Sequence, residues 1–332
     1  EAIESGDDNI LVDEYRLNIG IRTVSIDKKR LLLNGNPIYL KGFGRHEDTP
    51  VNGRGYNQVW LVKDYNLMRW MNANSFRTSH YPYDEAWLDM ADKQGFLVID
   101  ECAAVGWTKF GISGAKVFGD PEVNTRRSQN HIRDLVTLIE RDRNHPSVIM
   151  WSIANEAATW EEKSRPYFSA IINKVRSLDQ SRLRTIVNHA QPAECKVTDL
   201  VDVISINRYP SWYYLHGVLK SIQPSMYDEL CAWYDKFKKP VIITEFGVDT
   251  VAGMHYDPPE MFSEEYQSEF YEEFSKALDS LDFVIGEHVW NFADFRTKQG
   301  INRVGGNRKG IFTRDRTPKS AAHVLKKRWS CR

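Results

Sequence analysis

The strongest constraint on the fold is a repeated alternation between short apolar runs and longer amphipathic stretches along the 332-residue chain. Apolar runs of this length are typical of parallel strands covered on both faces, whereas apolar residues spaced three and four apart indicate helices. The apolar runs predict eight strands, at residues 38–43, 75–79, 96–101, 148–154, 185–188, 203–206, 241–245 and 284–289.

Helical patterns separate most of these strands, at residues 58–71, 83–93, 126–141, 167–178, 226–237, 263–280 and 319–327. Eight strands alternating with helices predict an α/β fold, a (β/α)8 or TIM barrel, which we assign to residues 25–332. Residues 1–24 do not fit the alternation. A strand over 14–24 and a hairpin that turns at Asn34-Gly35 predict a short β segment before the barrel. This segment is either the tail of another domain or linker, or a lid over the bottom of the barrel.

Composition excludes several classes of protein. The chain is 42% hydrophobic and 27% charged, with a formal charge of −1, as expected of a soluble globular protein without nucleic acid or an anionic membrane as partner. No apolar stretch reaches the roughly 18–20 residues of a membrane helix. The four cysteines are scattered, so we expect free thiols. No signal peptide or Asn-X-Ser/Thr sequon is present in the sequence, which leaves the compartment open between cytoplasm and secretion.

Polar side chains close most of the predicted strands. In a parallel barrel the carboxyl ends of the strands meet at one face, where (β/α)8 enzymes place their active sites. Burying such side chains is costly, so the sequence predicts a functional site at this face. The residues in question follow seven strands: Arg45-His46-Glu47, His80, Asp100-Glu101, Asn155-Glu156, Asn207-Arg208, Glu245 and Trp290-Asn291.

Two of these carboxylates suit glycoside hydrolysis, which needs one carboxyl group on each side of the scissile bond. Glu156 ends the fourth predicted strand and Glu245 ends the seventh. In a closed eight-stranded barrel these ends face each other across the mouth, so one substrate can bridge them. Glu101 on the third strand and Glu287 on the eighth are alternatives for the same roles, and the residues alone do not choose among the four.

Several motifs resemble those of glycoside hydrolase family 2. WSIANE (151–156) and ITEFG (243–247) are similar to the acid/base and nucleophile motifs of that family. GFGRHED (42–48), FRTSHYPY (76–83) and VIDE (98–101) match it on the expected strands, and the similarity runs from residue 15 to 329. The resemblance implies a retaining hydrolase with Glu156 as general acid/base and Glu245 as nucleophile. It implies no cofactor, and the histidines form no HxH or HExxH array, so no metal is expected.

Within that family the sequence is most similar to β-glucuronidases, through VWNFADF (289–295) and RVGGNRKGIFTRDR (303–316). Asn307-Arg308-Lys309 resembles their Asn-X-Lys signature. An amide and an ammonium suit the C6 carboxylate of a glucuronide, so Asn307 and Lys309 are expected to bind it, with Arg303 as a second cation. Other family 2 activities, β-galacturonidase or β-galactosidase among them, stay open. A non-catalytic sugar-binding barrel is disfavoured because both carboxylates are present.

The resemblance implies roles for further residues. Asn155 is similar to the residue that binds the sugar 2-OH, and Tyr209 to a tyrosine that donates to the nucleophile and keeps it ionised. Four others are expected around the sugar and the nucleophile, with Trp290 as the stacking floor: Tyr213, Trp290, His46 and Arg77. In one departure, Pro210 stands where family members have a second aromatic residue.

The resemblance also implies partners. The substrate would be a small-molecule or glycan glucuronide, and family members are commonly homo-oligomers, often tetramers. They carry a jelly-roll and an immunoglobulin-like domain before the barrel. The segment before residue 25 is then the tail of the immunoglobulin-like domain, and any residue that the missing domains contribute to the sugar pocket would be absent from this chain.

Overall fold

Eight parallel strands close into a barrel in the computed structural model, which describes residues 2–3, 11–14, 16, 19–108 and 116–331. Each strand pairs with the next along the chain, and the last pairs with the first. The predicted (β/α)8 fold is confirmed. The barrel strands are β6 Leu40–Gly44, β7 Ser75–Arg77, β8 Leu97–Glu101, β9 Val148–Asn155, β10 Leu183–Asn188, β11 Ile204–Asn207, β12 Val241–Glu245 and β13 Val284–Trp290; five short strands, β1–β5, precede them.

Seven α-helices surround the barrel in the described part of the chain. Between β10 and β11 the chain forms a short 3-10 turn, Thr198–Leu200, in place of an α-helix, which agrees with the lack of a helical pattern there. The helices are α1 Gln58–Trp70, α2 Glu85–Gln94, α3 Pro121–Asp142, α4 Ser164–Leu178, α5 Ile222–Phe237, α6 Glu264–Asp279 and α7 Ser320–Ser330.

The barrel strands are buried along nearly their whole length because helices cover the outside and side chains fill the inside. All eight residues of β9 are buried, as are all seven of β13. This explains why the strands appear as continuous apolar runs rather than as alternating patterns. Their carboxyl ends open onto one face, and this face carries the polar residues that the sequence places after the strands.

A three-stranded antiparallel sheet precedes the barrel, formed by β3 Val24–Asp27, β4 Arg30–Leu33 and β5 Asn36–Pro37. The predicted turn at Asn34-Gly35 joins β4 to β5, and both residues have a positive φ. Leu31 of β4 is buried in a separate apolar cluster with residues from the amino ends of the barrel strands, such as Leu40 and Ile149. The sheet therefore closes the bottom of the barrel.

The predicted strand over 14–24 is wrong where the structure describes it. Residues 19–23 form no strand, and Ile19 and Ile21 are exposed, so pairing begins only at Val24. The alternating apolar residues of this segment are single exposed side chains and do not form the buried face of a strand. Before this point, β1 Ala2–Ile3 and β2 Leu11–Asp13 pair with each other. The rest of the predicted tail, including residues 4–10, lies outside the described residues.

Candidate active site

A cleft of about 1080 Å³ opens at the carboxyl ends of the barrel strands. Glu156 and Glu245 both line it, so the fold brings together the two carboxylates that the sequence places 89 residues apart (245 − 156). Aromatic and amide side chains form much of the remaining wall: Asn155, Asn207, Tyr209, Tyr213, Trp290 and Asn307. A cleft of this size is large enough for a small-molecule ligand.

Glu156 sits just beyond the end of β9 in the left-handed backbone region, with φ 51°. Residues other than glycine seldom adopt this conformation, and it recurs at functional sites where the surrounding structure fixes it. The Asn207 side-chain amide donates to Glu156 Oε1 at 2.8 Å, and the amide orientation is set by Thr244 Oγ1, which donates to Asn207 Oδ1 at 2.8 Å. The same amide lies 3.2 Å from Asn155 Oδ1. The hydrogen bond from Asn207 therefore gives the Glu156 side chain a defined position in an otherwise open cleft.

Glu245 ends β12 and is almost fully buried. Its two oxygens are bound separately: Oε1 by the Arg77 guanidinium, and Oε2 by the Tyr209 hydroxyl at 2.5 Å. Burial raises the pKa of Glu245 above its usual value, although Arg77, His80 and the Tyr209 hydrogen bond oppose the rise. Burial and the charge of Glu245 raise the pKa of Tyr209 well above its usual value, so the phenol keeps its proton and donates a hydrogen bond to Glu245.

Arg77 ends β7 with no exposed surface and pairs with a second carboxylate, Glu101, at 2.6 Å. Glu101 is fully buried and also contacts Ser152 Oγ and His80 Nδ1, each at 2.7 Å. Although burial raises the pKa of Glu101, Arg77 and these neighbours lower it to about 2. Glu101 therefore stays ionised and paired with Arg77, and this pairing holds the Arg77 guanidinium against Glu245.

Glu287, the other alternative, is committed to a structural contact. It is fully buried and accepts hydrogen bonds from Tyr39 at 2.8 Å, Arg328 at 2.7 Å and Trp329 Nε1 at 2.6 Å. These bonds join β13 to α7. Of the four strand carboxylates considered from the sequence, only two line the cleft, and the other two have all their oxygens engaged within the protein.

Two cations meet at one edge of the cleft. Arg303 donates to the Tyr213 hydroxyl at 2.7 Å, and Lys309 Nζ donates to the same oxygen at 3.1 Å. Lys309 is fully buried and forms an ion pair with Asp249. Asn307 lines the cleft next to them, and its Oδ1 accepts from the Lys309 backbone N–H at 3.0 Å. The three residues that the sequence assigns to a carboxylate therefore lie together, with Arg303 and Asn307 on the cleft that holds the two glutamates and Lys309 buried beside them.

Trp290, at the end of β13, forms part of the floor. The His80 ring stacks on it at 5.1 Å between centroids, and His46 meets it edge-on at 5.4 Å. His46 also lies 4.2 Å from the Phe295 ring, so it supports the aromatic wall from behind. Close packing needs Gly247: a Cβ there would lie 2.1 Å from the Trp290 carbonyl oxygen.

The structure brings together most of the residues that the sequence singles out. Three of them do not reach the cleft surface: Arg77 and Lys309 are fully buried and paired with carboxylates, and His46 lies behind Trp290. Arg77 lies against the expected nucleophile, Glu245, rather than on the surface of the cleft. The residues that line the cleft are Asn155, Glu156, Tyr209, Tyr213, Glu245, Trp290, Arg303 and Asn307.

Three residues of the site received no role from the sequence. Asn207 holds Glu156, His80 lies 3.8 Å from Glu245 through its Nε2, and Asp249 pairs with Lys309. Asn207 and His80 follow predicted strands, so their position was a signal that could have identified them. Asp249 follows β12 by four residues on a loop, and nothing in the sequence pattern marks it.

The described residues offer one group that could hold a metal ion, Asp89, Asp92 and His145. It lies on α2 and on the loop before β9, at the end of the strands opposite the cleft, and His145 Nδ1 is already 2.7 Å from Asp92. The expectation of a metal-free and cofactor-free reaction stays a prediction. All four cysteines are free. Among the described residues, no helix has the length and apolar character to cross a membrane.

Comparisons with known proteins identify the family. A profile for "Glycosyl hydrolases family 2, TIM barrel domain" matches residues 24–331. β-Glucuronidases from Paenibacillus borealis and Homo sapiens are 52% and 44% identical over 319 residues, 96% of this chain but only 53% and 48% of theirs. The chain thus spans about half the length of these relatives.

Solved structures agree. A β-D-glucuronidase for Dictyoglomus thermophilum superposes with a TM-score of 0.93 at 52% identity, over 95% of this chain and 55% of that one. A Ruminococcus gnavus β-glucuronidase in complex with uronic isofagomine superposes with a TM-score of 0.93 at 45% identity, over 98% and 56% of the two chains. Sequence, barrel and cleft lead to one assignment: the chain belongs to glycosyl hydrolase family 2, and its residues 24–331 correspond to the TIM barrel domain of that family.

Proposed function

We propose that this barrel is the catalytic part of a retaining β-glucuronidase. The observation that carries the proposal is the convergence of Arg303 and Lys309 on the Tyr213 hydroxyl, next to Asn307, on the cleft that holds Glu156 and Glu245. Two cations and an amide suit a sugar that carries a carboxylate. The β-glucuronidase relatives and the neighbour with a bound uronic isofagomine support this choice of sugar.

The first step forms a covalent intermediate. A Glu245 oxygen attacks the anomeric carbon while the bond from that carbon to the aglycone oxygen breaks, and Glu156 gives its proton to the departing oxygen. The nucleophile is the buried carboxylate because Arg77 and Tyr209 bind its two oxygens and can stabilise its charge. Glu156 is the more accessible of the two and reaches the leaving group.

The second step releases the sugar. Water enters where the aglycone left, Glu156 takes a proton from it, and the water oxygen displaces Glu245 from the anomeric carbon. Both carbon–oxygen exchanges invert the configuration, so the product keeps the original one. Asn155, next to the acid/base, is placed to bind the sugar 2-OH, and Trp290 to pack against the sugar face.

A panel of nitrophenyl glycosides tests the sugar. The β-glucuronide should be cleaved much faster than the β-galactoside and β-glucoside, because the neutral sugars leave the Arg303–Lys309 edge without an anionic partner. The β-galacturonide, which differs only at C4, is the alternative that the same panel resolves. Cleavage of none of the four would favour a sugar-binding barrel without catalysis.

Azide distinguishes the two glutamates. Glu245→Ala should lower kcat by about 10³-fold or more, and azide should then yield the α-glucuronosyl azide after one inversion. Glu156→Ala with azide should yield the β-azide, because azide then attacks the intermediate on Glu245 and the configuration inverts twice. Near wild-type turnover by Glu245→Ala, or the same azide product from both variants, would contradict the assigned roles.

Lys309→Ala tests the carboxylate edge. The variant should reduce glucuronide cleavage far more than any cleavage of the matched galactoside or glucoside. Equal losses on all three would reject the specificity assignment.

We also propose the domain organisation and the partners. Residues 1–24 belong to the end of a preceding β domain and 25–332 to the catalytic barrel. The support is the length of the relatives, about twice that of this chain. In the whole protein we expect a homo-oligomer that acts on small-molecule or glycan glucuronides. Light scattering of a chain extended to the full length of the relatives tests the oligomer.

A further inference from the structure

We propose that Asp249 is a positioning residue that makes the cleft selective for a uronic acid, an inference that rests on the proposed function. Asp249 has no part in bond making, and it does not line the cleft. It acts through Lys309, whose ammonium it holds, and through the backbone of the loop that carries Asn307 and Lys309.

Both carboxylate oxygens of Asp249 are engaged on that loop. Oδ1 accepts from the Arg308 backbone N–H at 2.7 Å, between the two predicted carboxylate-binding residues. Oδ2 pairs with Lys309 Nζ and lies 3.9 Å from the Arg303 guanidinium. Asp249 is buried, so these contacts are made away from bulk water. The Asp249 side chain thus fixes both the backbone of the loop at Arg308 and the position of the Lys309 ammonium.

Lys309 needs this partner because it is fully buried. A buried ammonium without a counter-charge either gives up its proton or moves toward water. Among the described residues, the other hydrogen-bond neighbour of Lys309 Nζ is the Tyr213 hydroxyl, which already accepts from Arg303. Asp249 is therefore what keeps a charged lysine at the edge of the cleft.

The charge balance at this edge suits one carboxylate. Arg303 and Lys309 carry two positive charges and Asp249 one negative charge, which leaves this group at the edge of the cleft with a net charge of +1. A glucuronide supplies a single carboxylate at C6 and neutralises it, whereas a glucoside has only a hydroxyl there. A residue that sets this balance changes the preference between the two sugars rather than the rate of bond breaking.

The test compares Asp249→Asn with Asp179→Asn, a matched control. Asp179 is a buried carboxylate that pairs with a buried arginine, Arg182, at 2.8 Å. Its other side-chain contacts are with Trp151 and Ser181, and it does not line the cleft. The measured quantity is the ratio of kcat/KM for nitrophenyl β-glucuronide to that for nitrophenyl β-glucoside. Asp249→Asn should lower this ratio by about 10- to 100-fold, mostly through KM for the glucuronide. Asp179→Asn should leave the ratio within about twofold.

Inhibition by free D-glucuronate gives a second readout. Its inhibition constant should rise in Asp249→Asn by a factor similar to the change in KM, with D-glucose unaffected. An equal loss of kcat/KM on both glycosides would leave the ratio unchanged and mean that Asp249 has only a structural role. Wild-type kcat/KM on both glycosides would show no role at all; either result overturns the proposal. If the wild type cleaves no glucuronide while it cleaves another glycoside, the proposed function fails first and this inference fails with it.

A double variant keeps the test valid if Asp249→Asn does not fold. Asp249→Asn/Lys309→Met removes both buried charges together, which restores a neutral interior. Because Asp249 acts through Lys309, the double variant should show the same ratio as Lys309→Met alone, within about threefold. Independent losses that multiply would contradict the proposed coupling.

Discussion

At Glu245, burial and charge act on the pKa in opposite directions. Burial raises the pKa of the carboxyl, while Arg77, His80 and the Tyr209 hydrogen bond lower it, and the balance lies above the usual value. A nucleophile must be ionised, so the activity should be lost as the pH falls through this raised pKa. Because Arg77 and Tyr209 oppose the rise in the pKa of Glu245, the loss of activity should occur at pH values below neutrality.

Tyr209→Phe removes one of these contacts. Without the hydrogen bond to Oε2, the pKa of Glu245 rises further, so the acidic limb of kcat/KM against pH should move to higher pH, by about one unit. At neutral pH the variant should lose about 10- to 100-fold in kcat/KM. The measurement is a pH profile of nitrophenyl glucuronide cleavage from pH 4 to 9.

Tyr39→Phe is the control for that experiment. Tyr39 makes the same kind of bond, from its hydroxyl to the buried carboxylate of Glu287 at 2.8 Å, but at a contact that does not line the cleft. Its pH profile should match the wild type. A limb that stays in place in Tyr209→Phe, or moves to lower pH, would mean that Tyr209 does not stabilise the ionised nucleophile.

Among the elements, the strands were easier to predict than the helix ends. Each of the eight predicted barrel strands agrees with an observed one to within about two residues at either end, because a buried parallel strand is apolar throughout. Helix α3 begins at Pro121, five residues before the predicted start of 126. Its first turn is polar, so the apolar spacing does not reveal it. The signal was the cap: Asp120 accepts from the backbone N–H groups of Glu122 and Val123.

The site was predictable where it depends on strand ends and not where it depends on contacts between loops. Glu156 and Glu245 follow directly from the ends of β9 and β12. The partners of Lys309 and Arg77 depend on which side chains meet in three dimensions, and residues such as Asp249 carry no local pattern. A lysine in a loop after the last strand suggests a free cation, whereas the structure buries it against a carboxylate.

Gly306 is one of the glycines that set the path of the loop between β13 and α7. Gly306 has φ 114°, and a Cβ there would lie 2.5 Å from the Phe295 carbonyl oxygen. The loop returns at this point, where Phe295 and Asn307 exchange backbone hydrogen bonds of 3.1 and 2.9 Å. The position of the carboxylate-binding residues is therefore a property of the backbone as well as of their side chains.

Gly306→Ala should displace Asn307 and lower kcat/KM for the glucuronide by about tenfold or more, with the helical circular dichroism unchanged. Gly300→Ala is the control on the same loop, since nothing lies within 4 Å of a Cβ at that position. That variant should keep kcat/KM within about twofold. Equal behaviour of the two alanines would mean that the path of the loop does not determine the binding of the sugar.

For the molecule as a whole, the two ends of the barrel have different tasks. The carboxyl ends carry the cleft, with strained backbone and buried charges, while the amino ends are closed by the sheet of β3–β5 and an apolar cluster. Stability should then depend most on contacts away from the cleft. One such contact is made by Asp179, which follows α4 and accepts from Trp151 Nε1 at 2.9 Å and Arg182 at 2.8 Å.

Asp179→Asn tests how this contact stabilises the fold in acid. Although burial raises the pKa of Asp179, hydrogen bonds from Ser181, Arg182 and Trp151 lower it to about 2. Because the folded pKa lies below the usual value of 3.8, the carboxylate stabilises the fold above pH 3.8, and the stabilisation fades as the pH falls toward 2. The variant should therefore melt about 2–5 °C below the wild type at pH 7.

The difference between the two melting temperatures should shrink below about pH 4, because Asp179 of the unfolded chain takes up a proton near pH 3.8 while the folded carboxylate stays ionised until about pH 2. Asp235→Asn is the control, because the Asp235–Lys238 ion pair is exposed and such pairs contribute little to stability. It should melt within about 1 °C of the wild type at every pH. If the difference in melting temperature between Asp179→Asn and the wild type stays constant down to pH 3, or widens, the stabilisation does not come from the ionised carboxylate. Kinetic constants at pH 7 should be unchanged in both variants, since neither residue lines the cleft.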